Sequence, residues 1–185
     1  FTLRADGSSK FVKGNRWGYF PAGAVAWRIS EEPFLAETRS WLDILKLRLS
    51  LGMAGNDGIS ASAFNDEWVT SQNADGSFIY TTGNLKGNPD LKWEKTISRN
   101  MGIDYSFLNG KFNGSVDFYW NTTKDCLMRV PVNSTSGFSY MFMNAATTSN
   151  KGIEFIGNAI FIPYFLIGVG MLINLRTLTE SLSIW

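Results

Sequence analysis

The residues of this 185-residue chain most able to do chemistry are carboxylates that fall on one polar strand face: Glu94, Asp104, Asp117 and Asp125. A glycosidase places two carboxyl groups about 5–9.5 Å apart, one on each side of the bond it cleaves. Asp104 and Asp117 are near-diagonal neighbours in the register that the sequence predicts, so this separation is open to them. The polar residues around them favour a different interpretation, a hydrated wall without catalysis.

Other reactive groups are scarce. The chain has no His and one Cys, which excludes His-based acid–base chemistry, a Cys/His zinc site and an internal disulfide. Residues 56–58 (NDG) and 73–76 (NADG) are similar to calcium loops but lack the closing glutamate, so turns are favoured. We interpret Cys126 as an unpaired residue at a strand end, and we expect neither a metal nor a cofactor. A net charge of +1 without a basic block argues against a nucleic-acid surface.

The elements that carry these residues are predicted to be strands, because apolar and polar residues alternate. In residues 44–53 one face holds Leu45, Leu47, Leu49, Leu51 and Met53, and the other holds Lys46, Arg48, Ser50 and Gly52. Weaker alternation predicts strands within residues 1–5, 20–30, 151–161 and 164–174.

The clearest unit is a hairpin within residues 91–126, since Asn109-Gly110 separates two alternating runs. A turn at these two residues fixes the register. It pairs Phe107 with Phe112, Tyr105 with Gly114, Ile103 with Val116, Met101 with Phe118 and Arg99 with Trp120 on one face. On the other face it pairs Ser106 with Asn113, Asp104 with Ser115, Gly102 with Asp117 and Asn100 with Tyr119. Tyr105 is expected to cover the strand glycine Gly114.

The predicted connections alternate between long (residues 6–19, 54–89 and 127–150) and short (residues 30–41, 108–111 and 162–164). Residues 30–41 are predicted to hold one helical turn with Glu31 and Glu32 near its start. Such asymmetry between the two ends is typical of outer-membrane barrels. The predicted fold is therefore all-β: an antiparallel up-and-down meander, part of a transmembrane β-barrel, forming an open curved sheet of about seven strands. Residues 1–185 are expected to form one partial barrel domain.

The two faces of the hairpin are predicted to contact different surroundings, lipid on the apolar side and water on the polar side. Residues 97–107 extend about 33 Å, which spans about 25 Å when the strand is tilted, the height of the apolar band of a membrane barrel. We predict lipid contact for Met101, Ile103, Tyr105, Phe107, Phe112, Val116 and Phe118. We predict that a water-filled lumen is lined by Glu94, Asn100, Asp104, Asp117, Tyr119 and Asn121. Arg99 interrupts the apolar face and is expected to snorkel or to stack on Trp120. A soluble antiparallel sheet with one face on a core would show the same alternation.

Seven segments resemble SusC/RagA-type TonB-dependent outer-membrane transporters of Bacteroidetes, over roughly residues 1–158. They are DGSSKF (6–11), RWGYFP (16–21), AWRISEE (26–32), LKLRLSLGMAGN (45–56), GNPDLKWE (87–94), GSVDFYWNTTKD (114–125) and NKGIEF (150–155). The match is to the second half of the barrel, with no counterpart of the plug or N-terminal regions, and the tail after about residue 158 is atypical.

The resemblance implies a barrel of about 22 strands with an internal plug, energised through TonB, in the outer membrane of a Gram-negative bacterium. It implies a SusD-like surface lipoprotein as partner, a glycan or peptide cargo, and no enzyme activity. The function expected is part of an importer of oligosaccharides or other large nutrients. The alternatives are a soluble β-sheet carbohydrate-binding module and, third, a hydrolase.

Aromatic residues in the predicted long connections are candidates for contact with cargo or with the partner, because both interactions use exposed aromatic anchors. They are Trp68, Phe78, Tyr80, Phe138 and Tyr140. Packing of the loops against one another is the competing interpretation.

Overall fold

The computed structural model describes residues 1–161, 171–178 and 181–184. Its strands are β1 (Thr2–Gly7), β2 (Trp17–Arg28), β3 (Leu42–Asn56), β4 (Trp68–Gln72), β5 (Phe78–Thr82), β6 (Leu85–Lys86), β7 (Glu94–Phe107), β8 (Phe112–Pro131), β9 (Tyr140–Phe161), β10 (Met171–Leu178) and β11 (Ser181–Ile184). Short 3-10 helices occupy Ile29–Glu31, Pro33–Ser40 and Ser134–Ser136. In the part of the chain so described, no helix is long and apolar enough to cross a membrane.

The main sheet is an antiparallel meander in the order β1-β2-β3-β7-β8-β9-β10. Within the described residues β1 and β10 do not pair, so the seven-strand path stays open, and the predicted fold class is confirmed. β11 pairs antiparallel with β9, β6 pairs parallel with β9, and β4 and β5 form a separate hairpin. We call the end that carries residues 8–16, 57–93 and 132–139 the loop end, and the end that carries residues 29–41 and 108–111 the turn end.

The predicted hairpin register is confirmed at every pair from Asn100–Tyr119 to Phe107–Phe112. The ladder stops at Phe107–Phe112, and Leu108, Asn109 and Gly110 all take positive φ values of 56°, 58° and 77°. Asp43 holds this turn, because its Oδ2 accepts hydrogen bonds from Gly110 N (2.9 Å) and Ser106 Oγ (3.2 Å). A side chain from the neighbouring strand therefore fixes the left-handed turn.

The alternation continues across the sheet as rows of directly opposed residues. One row joins Val25, Leu49, Met101, Phe118 and Ile153. Their exposed fractions are 69%, 45%, 41%, 36% and 48%. We call the side of the sheet that holds this row the apolar face and the opposite side the polar face. In the described part of the chain, no second layer buries the apolar row.

The polar face is equally continuous. A row on that side joins Ala26, Arg48, Gly102, Asp117 and Glu154. The sheet thus separates an apolar surface from an ionic one, with one strand thickness between them.

The predicted long connection at 127–150 is wrong. β8 continues to Pro131 and β9 begins at Tyr140, so these strands have 20 and 22 residues. Their pairing shifts register twice around Cys126, and Asp125 takes a φ of 56°. Such irregularities interrupt the two-residue period, which is why the pattern indicated a loop.

The other predicted elements differ less. The helical turn expected in residues 30–41 is confirmed as 3-10 helix, and the strand expected at residues 1–5 is confirmed as β1. The long connection 54–89 contains β4, β5 and β6, which the sequence did not predict. The turn expected at 162–164 lies outside the described residues, as does the first part of the strand expected at 164–174.

Apart from Leu42 at the turn end, the buried apolar side chains of the described residues gather at the loop end and not between two sheets. The cluster consists of Phe11, Phe20, Ile59, Ala63, Leu85, Leu91 and Trp93. The Trp93 ring lies 5.5 Å from both the Phe11 and the Phe20 rings, and its Nε1 donates to the Arg16 carbonyl oxygen (3.0 Å). The loops therefore carry a small core of their own.

Candidate functional site

The loops at the loop end are tied together by polar contacts as well as by this core. Asp57 Oδ2 accepts a hydrogen bond from Ser8 Oγ (2.7 Å), and Lys10 Nζ donates to the Asp57 carbonyl oxygen (2.9 Å). Gly58 N donates to Asn56 Oδ1 (3.0 Å), as expected for a turn. Residues 56–58 therefore form a turn whose carboxylate anchors the loop of residues 8–16.

The β4–β5 hairpin projects from this platform, and every strand residue in it is exposed. Three of the five predicted aromatic residues lie on it: Trp68, Phe78 and Tyr80 are 60%, 64% and 68% exposed. Because Trp68 pairs with Thr82 and Tyr80 pairs with Thr70, these aromatic residues share one face. Val69 and Ile79 occupy the other face.

The spacing of the three rings follows from the register. Alternate residues on one strand lie about 7 Å apart, and diagonal neighbours across two strands lie about 7–8 Å apart. Phe78, Tyr80 and Trp68 are related in this way, one after another. The intervening positions on the same face are Gln72, Thr70 and Thr82, which supply hydrogen-bonding groups. We call this surface the aromatic strip.

The tip of the hairpin is a tight turn at residues 73–77. Gly76 has a φ of 85°, and Asn73 N donates to the Ser77 carbonyl oxygen (2.8 Å). Asp75 Oδ1 accepts hydrogen bonds from Ser77 Oγ (2.6 Å) and Ser77 N (2.9 Å). These bonds, the one from Oγ foremost, lower the pKa of the Asp75 carboxyl. The Asp75 carboxylate therefore stabilises the turn.

Glu67 fixes the base of the hairpin. Its Oε2 accepts hydrogen bonds from Asn84 N (2.8 Å) and Leu85 N (3.0 Å), and its own backbone bonds Gly83 and Leu85. A carboxylate that accepts two backbone N–H groups makes strong, charge-assisted hydrogen bonds. The Glu67 side chain is therefore one of the contacts that fix the position of the aromatic strip.

We expect Glu67→Ala to release the hairpin. Losing two charge-assisted bonds costs about 1–3 kcal/mol of local stability, because Asn84 N and Leu85 N lose their acceptor. Hydrogen exchange of the full receptor should show about five- to hundredfold faster exchange of the Asn84 and Leu85 amides. Glu37→Ala is the matched control, since Glu37 is an exposed residue of the turn end. Equal exchange in the two variants would contradict the assignment.

The other two predicted aromatic residues lie apart from the strip. Phe138 and Tyr140 are half-buried. Tyr140 is the first residue of β9. Its ring lies 3.5 Å from the Arg129 guanidinium carbon and packs edge-on to Phe142 (6.0 Å). Their loop still contacts the hairpin, because Thr82 Oγ1 donates to the Gly137 carbonyl oxygen (2.9 Å).

The polar face carries an ionic triad that the sequence did not predict. Arg48 Nε donates to both oxygens of Asp104 (3.0 and 2.9 Å), and its Nη2 donates to Asp104 Oδ1 and Asp117 Oδ1 (both 2.8 Å). The three side chains are 39%, 30% and 30% exposed. Both candidate catalytic carboxylates are therefore engaged by one guanidinium. The signal was present, since Arg48 falls on the polar face of its strand, but no sequence rule pairs β3 with β7.

The remaining predicted polar residues follow β7 and β8 on the same face. Glu94 accepts from Asn56 Nδ2 (3.0 Å) and from Leu127 N (2.8 Å). Asn100 Nδ2 donates to Ser50 Oγ (3.3 Å). Tyr119 and Asn121 lie in register with Asn100 and Ser98. Cys126 is a free, half-buried thiol, and among the described residues no three potential metal ligands converge.

On the apolar face the aromatic residues form two groups. Near the turn end, Phe107 stacks on Trp41 (5.9 Å), and Tyr105 contacts Phe107 (5.7 Å) and Phe155 (6.5 Å). Near the loop end, Arg99 stacks over the Trp120 ring (5.1 Å), as predicted. Ile103, Val116 and Phe112 complete the face between and beside these groups.

Comparison with known proteins agrees with this architecture. Residues 1–180 match the family described as TonB dependent receptor-like, beta-barrel, so the match continues past residue 158. The TonB-dependent receptor SusC of Bacteroides thetaiotaomicron is 41% identical over 169 residues, covering 86% of this chain. A TonB-dependent receptor of Formosa agariphila is 38% identical over 158 residues, covering 83% of this chain.

Solved structures give the same result. The RagAB peptide transporter superposes with a TM-score of 0.79 at 26% identity, covering 97% of this chain. The RagAB peptide importer in its open-open state has a TM-score of 0.83 over 98% of this chain. The chain spans 16% of SusC and 20% of the RagAB transporter chain. The family match, the relatives and the open antiparallel sheet together show that this chain belongs to the TonB-dependent receptor β-barrel family of the outer membrane, as a segment of a SusC/RagA-type receptor.

Proposed function

We propose that the chain is part of the wall and outer mouth of an energised outer-membrane importer of oligosaccharides or other large nutrients. The observation that supports this most is the pairing of an exposed apolar face with an ion-paired polar face on one sheet. Large apolar side chains can face lipid hydrocarbon without a free-energy penalty, whereas rows of charged side chains are stable only in contact with water.

The faces then take distinct roles. The apolar face, with Met101, Ile103, Val116 and Phe118 at its centre and Tyr105, Phe107 and Phe112 toward the turn end, contacts lipid. The polar face, with the Arg48 triad, lines a water-filled passage. Aromatic residues near both ends of the apolar face suit the two membrane–water interfaces.

A soluble carbohydrate-binding module would need a cover for the apolar face. Single exposed apolar residues are common in soluble proteins, but a continuous row across five strands is a large patch. The two hypotheses separate by fractionation: the importer requires the full-length protein to sediment with outer membranes and to need detergent for extraction. Recovery as a monomer in detergent-free buffer would overturn the proposal.

A hydrolase is not favoured by the carboxylate geometry. Both Asp104 oxygens and Asp117 Oδ1 bind Arg48. A glycosidase would need these two groups to face a sugar bound between them. We therefore propose a structural role for the triad and no covalent chemistry.

The aromatic strip, Trp68, Phe78 and Tyr80, is our candidate contact for the cargo or for a SusD-like surface lipoprotein, with Phe138 and Tyr140 supporting the loop beneath it. Exposed aromatic residues at the mouth are suitable anchors for either. RagAB is described as a peptide transporter, so both glycans and peptides are reasonable cargo classes. Coupling to TonB would supply the energy for uptake.

We expect Trp68→Ala with Tyr80→Ala to lower cargo uptake by the full receptor about tenfold or more, because two anchor side chains are removed. Uptake of labelled glycans and peptides by intact cells measures this, with and without the proton gradient. Val69→Ala with Ile79→Ala, on the opposite face of the same hairpin, is the matched control. If Trp68→Ala with Tyr80→Ala leaves uptake unchanged, the aromatic strip has no role in cargo uptake.

A further inference from the structure

A band of positive charge crosses the apolar face near the loop end. Four cationic residues, Lys95, Arg99, Lys124 and Lys151, lie on this face in three adjacent strands. Lys95 is directly opposite Lys124, and Arg99 is opposite Trp120, which is in turn opposite Lys151. We call these four residues the basic band.

The basic band lies where the apolar face becomes polar. On the turn-end side of it are Met101, Phe118 and Ile153, and the polar residues Thr122 and Ser149 lie beside its members on the same face. Cations on a lipid-contacting surface are costly near the bilayer centre and favourable at headgroup height. The composition therefore sets the band at the level of the outer headgroups.

Three members of the band, Lys95, Arg99 and Lys124, have no acid beside them on the same face in residues 1–161. From residue 95 to 107, 112 to 124 and 149 to 159, no Asp or Glu falls on the apolar side of the register. Within residues 1–161, no carboxylate lies within ion-pair distance of Lys95, Arg99 or Lys124. The adjacent Asp125 is paired with Lys92 Nζ at 2.9 Å.

The turn end shows no comparable band. Its connection of residues 29–41 contains Glu31, Glu32 and Glu37 against one cation, Arg39. On the apolar face itself, residues 101–107, 112–118 and 153–159 place no Lys or Arg toward the turn end. Positive charge on this face is therefore confined to the loop end, and it favours an anionic partner there.

We propose that the basic band binds the phosphate groups of an anionic lipid in the outer leaflet. Lys95 and Arg99 are four residues apart, or about 13 Å along the strand, and neighbouring strands add about 4.8 Å each. Long flexible side chains on such a frame can reach one phosphorylated headgroup with more than one phosphate. Arg99, held over Trp120 by stacking, supplies a fixed donor fork for phosphate oxygens.

The test uses the detergent-purified full-length receptor and native mass spectrometry with added dioleoyl phosphatidic acid or dioleoyl phosphatidylcholine. The parent receptor should retain phosphatidic acid in preference to phosphatidylcholine. Lys95→Gln, Arg99→Gln and Lys124→Gln together should weaken that retention on the order of 100-fold, from about fivefold per cation. The control removes three exposed lysines elsewhere, by Lys13→Gln, Lys86→Gln and Lys111→Gln, and should retain the lipid as the parent does.

Further variants keep the outcome decisive. The charge-conserving set Lys95→Arg, Arg99→Lys and Lys124→Arg should keep the preference, and Lys124→Gln alone, on an exposed side chain, should lose about fivefold. Equal retention by the parent and the triple variant, equal loss in the control, or displacement of the lipid by millimolar inorganic phosphate would each overturn the proposal.

This inference rests on the proposed lipid contact of the apolar face and not on cargo transport. A receptor that fractionates with outer membranes but shows no phosphatidic acid preference would refute the basic band alone. A receptor extracted without detergent would refute the proposed function itself.

Discussion

A receptor carrying Gly114→Ala is expected to lose about 3 kcal/mol of folding free energy, an effect at the upper end for overpacking. Gly114 pairs with Tyr105 on one side and with Gly157 on the other. A Cβ at this position would collide with the Ile156 carbonyl oxygen and would lie 2.6 Å from Tyr105 Oη. Because the first of these atoms belongs to the β9 backbone, the ladder itself must shift.

Urea unfolding of the full receptor in detergent, followed by tryptophan fluorescence, measures this loss. Gly23→Ala is the matched control: it is also a strand glycine, and its added Cβ would have Phe1 at 3.9 Å as its neighbour. Combining Gly114→Ala with Tyr105→Ala should recover only part of the loss, since the backbone collision remains. If Gly114→Ala and Gly23→Ala unfold at the same urea concentration, the close packing of β8 on β9 is incorrect.

The second large effect concerns the ionic triad. Arg48→Met is expected to destabilise the receptor by about 2 kcal/mol, because two neighbouring carboxylates would lose their shared cation. The side chains are about a third exposed. Solvent screening therefore keeps the loss below the 3–5 kcal/mol typical of fully buried pairs.

Restoring charge balance separates this explanation from simple loss of packing. The triple variant Arg48→Met, Asp104→Asn, Asp117→Asn should recover most of the stability of the parent. Arg4→Met is the control, because the arginine of the Arg4–Asp6 pair is 77% exposed, and solvent-screened surface pairs contribute little to stability. A triple variant less stable than Arg48→Met would contradict the electrostatic explanation.

The sequence predicted those parts of the fold that depend on neighbouring residues. Asn109-Gly110 located the turn, and the position of the turn fixed the register of β7 with β8. A shift of one residue is excluded because it would exchange the apolar and polar faces. The stacking of Arg99 on Trp120 followed from the same register. Gly114 under Tyr105 followed as well.

What the sequence did not predict depends on irregular backbone or on distant strands. The bulges around Cys126 hid the upper parts of β8 and β9, because they break the alternation. Arg48 meets Asp104 across a connection of more than thirty residues, and no local pattern reports that pairing. In the sequence, the five aromatic candidates look alike, because all of them are aromatic residues in predicted connections. Only the pairing of β4 with β5 places Trp68, Phe78 and Tyr80 on one exposed surface, away from Phe138 and Tyr140.

The length of β9 has a consequence for how this wall can vary. Twenty-two residues extend about 75 Å, or about 57 Å in height at a 40° tilt, against an apolar band of about 25 Å. More than half of the strand therefore rises beyond the hydrocarbon. Between the turn end and the basic band, one side of the wall contacts hydrocarbon, and this restricts the substitutions that the strand can accept. Above the basic band, water and the loops' own core decide, so the rim can diversify for new nutrients while the base stays fixed.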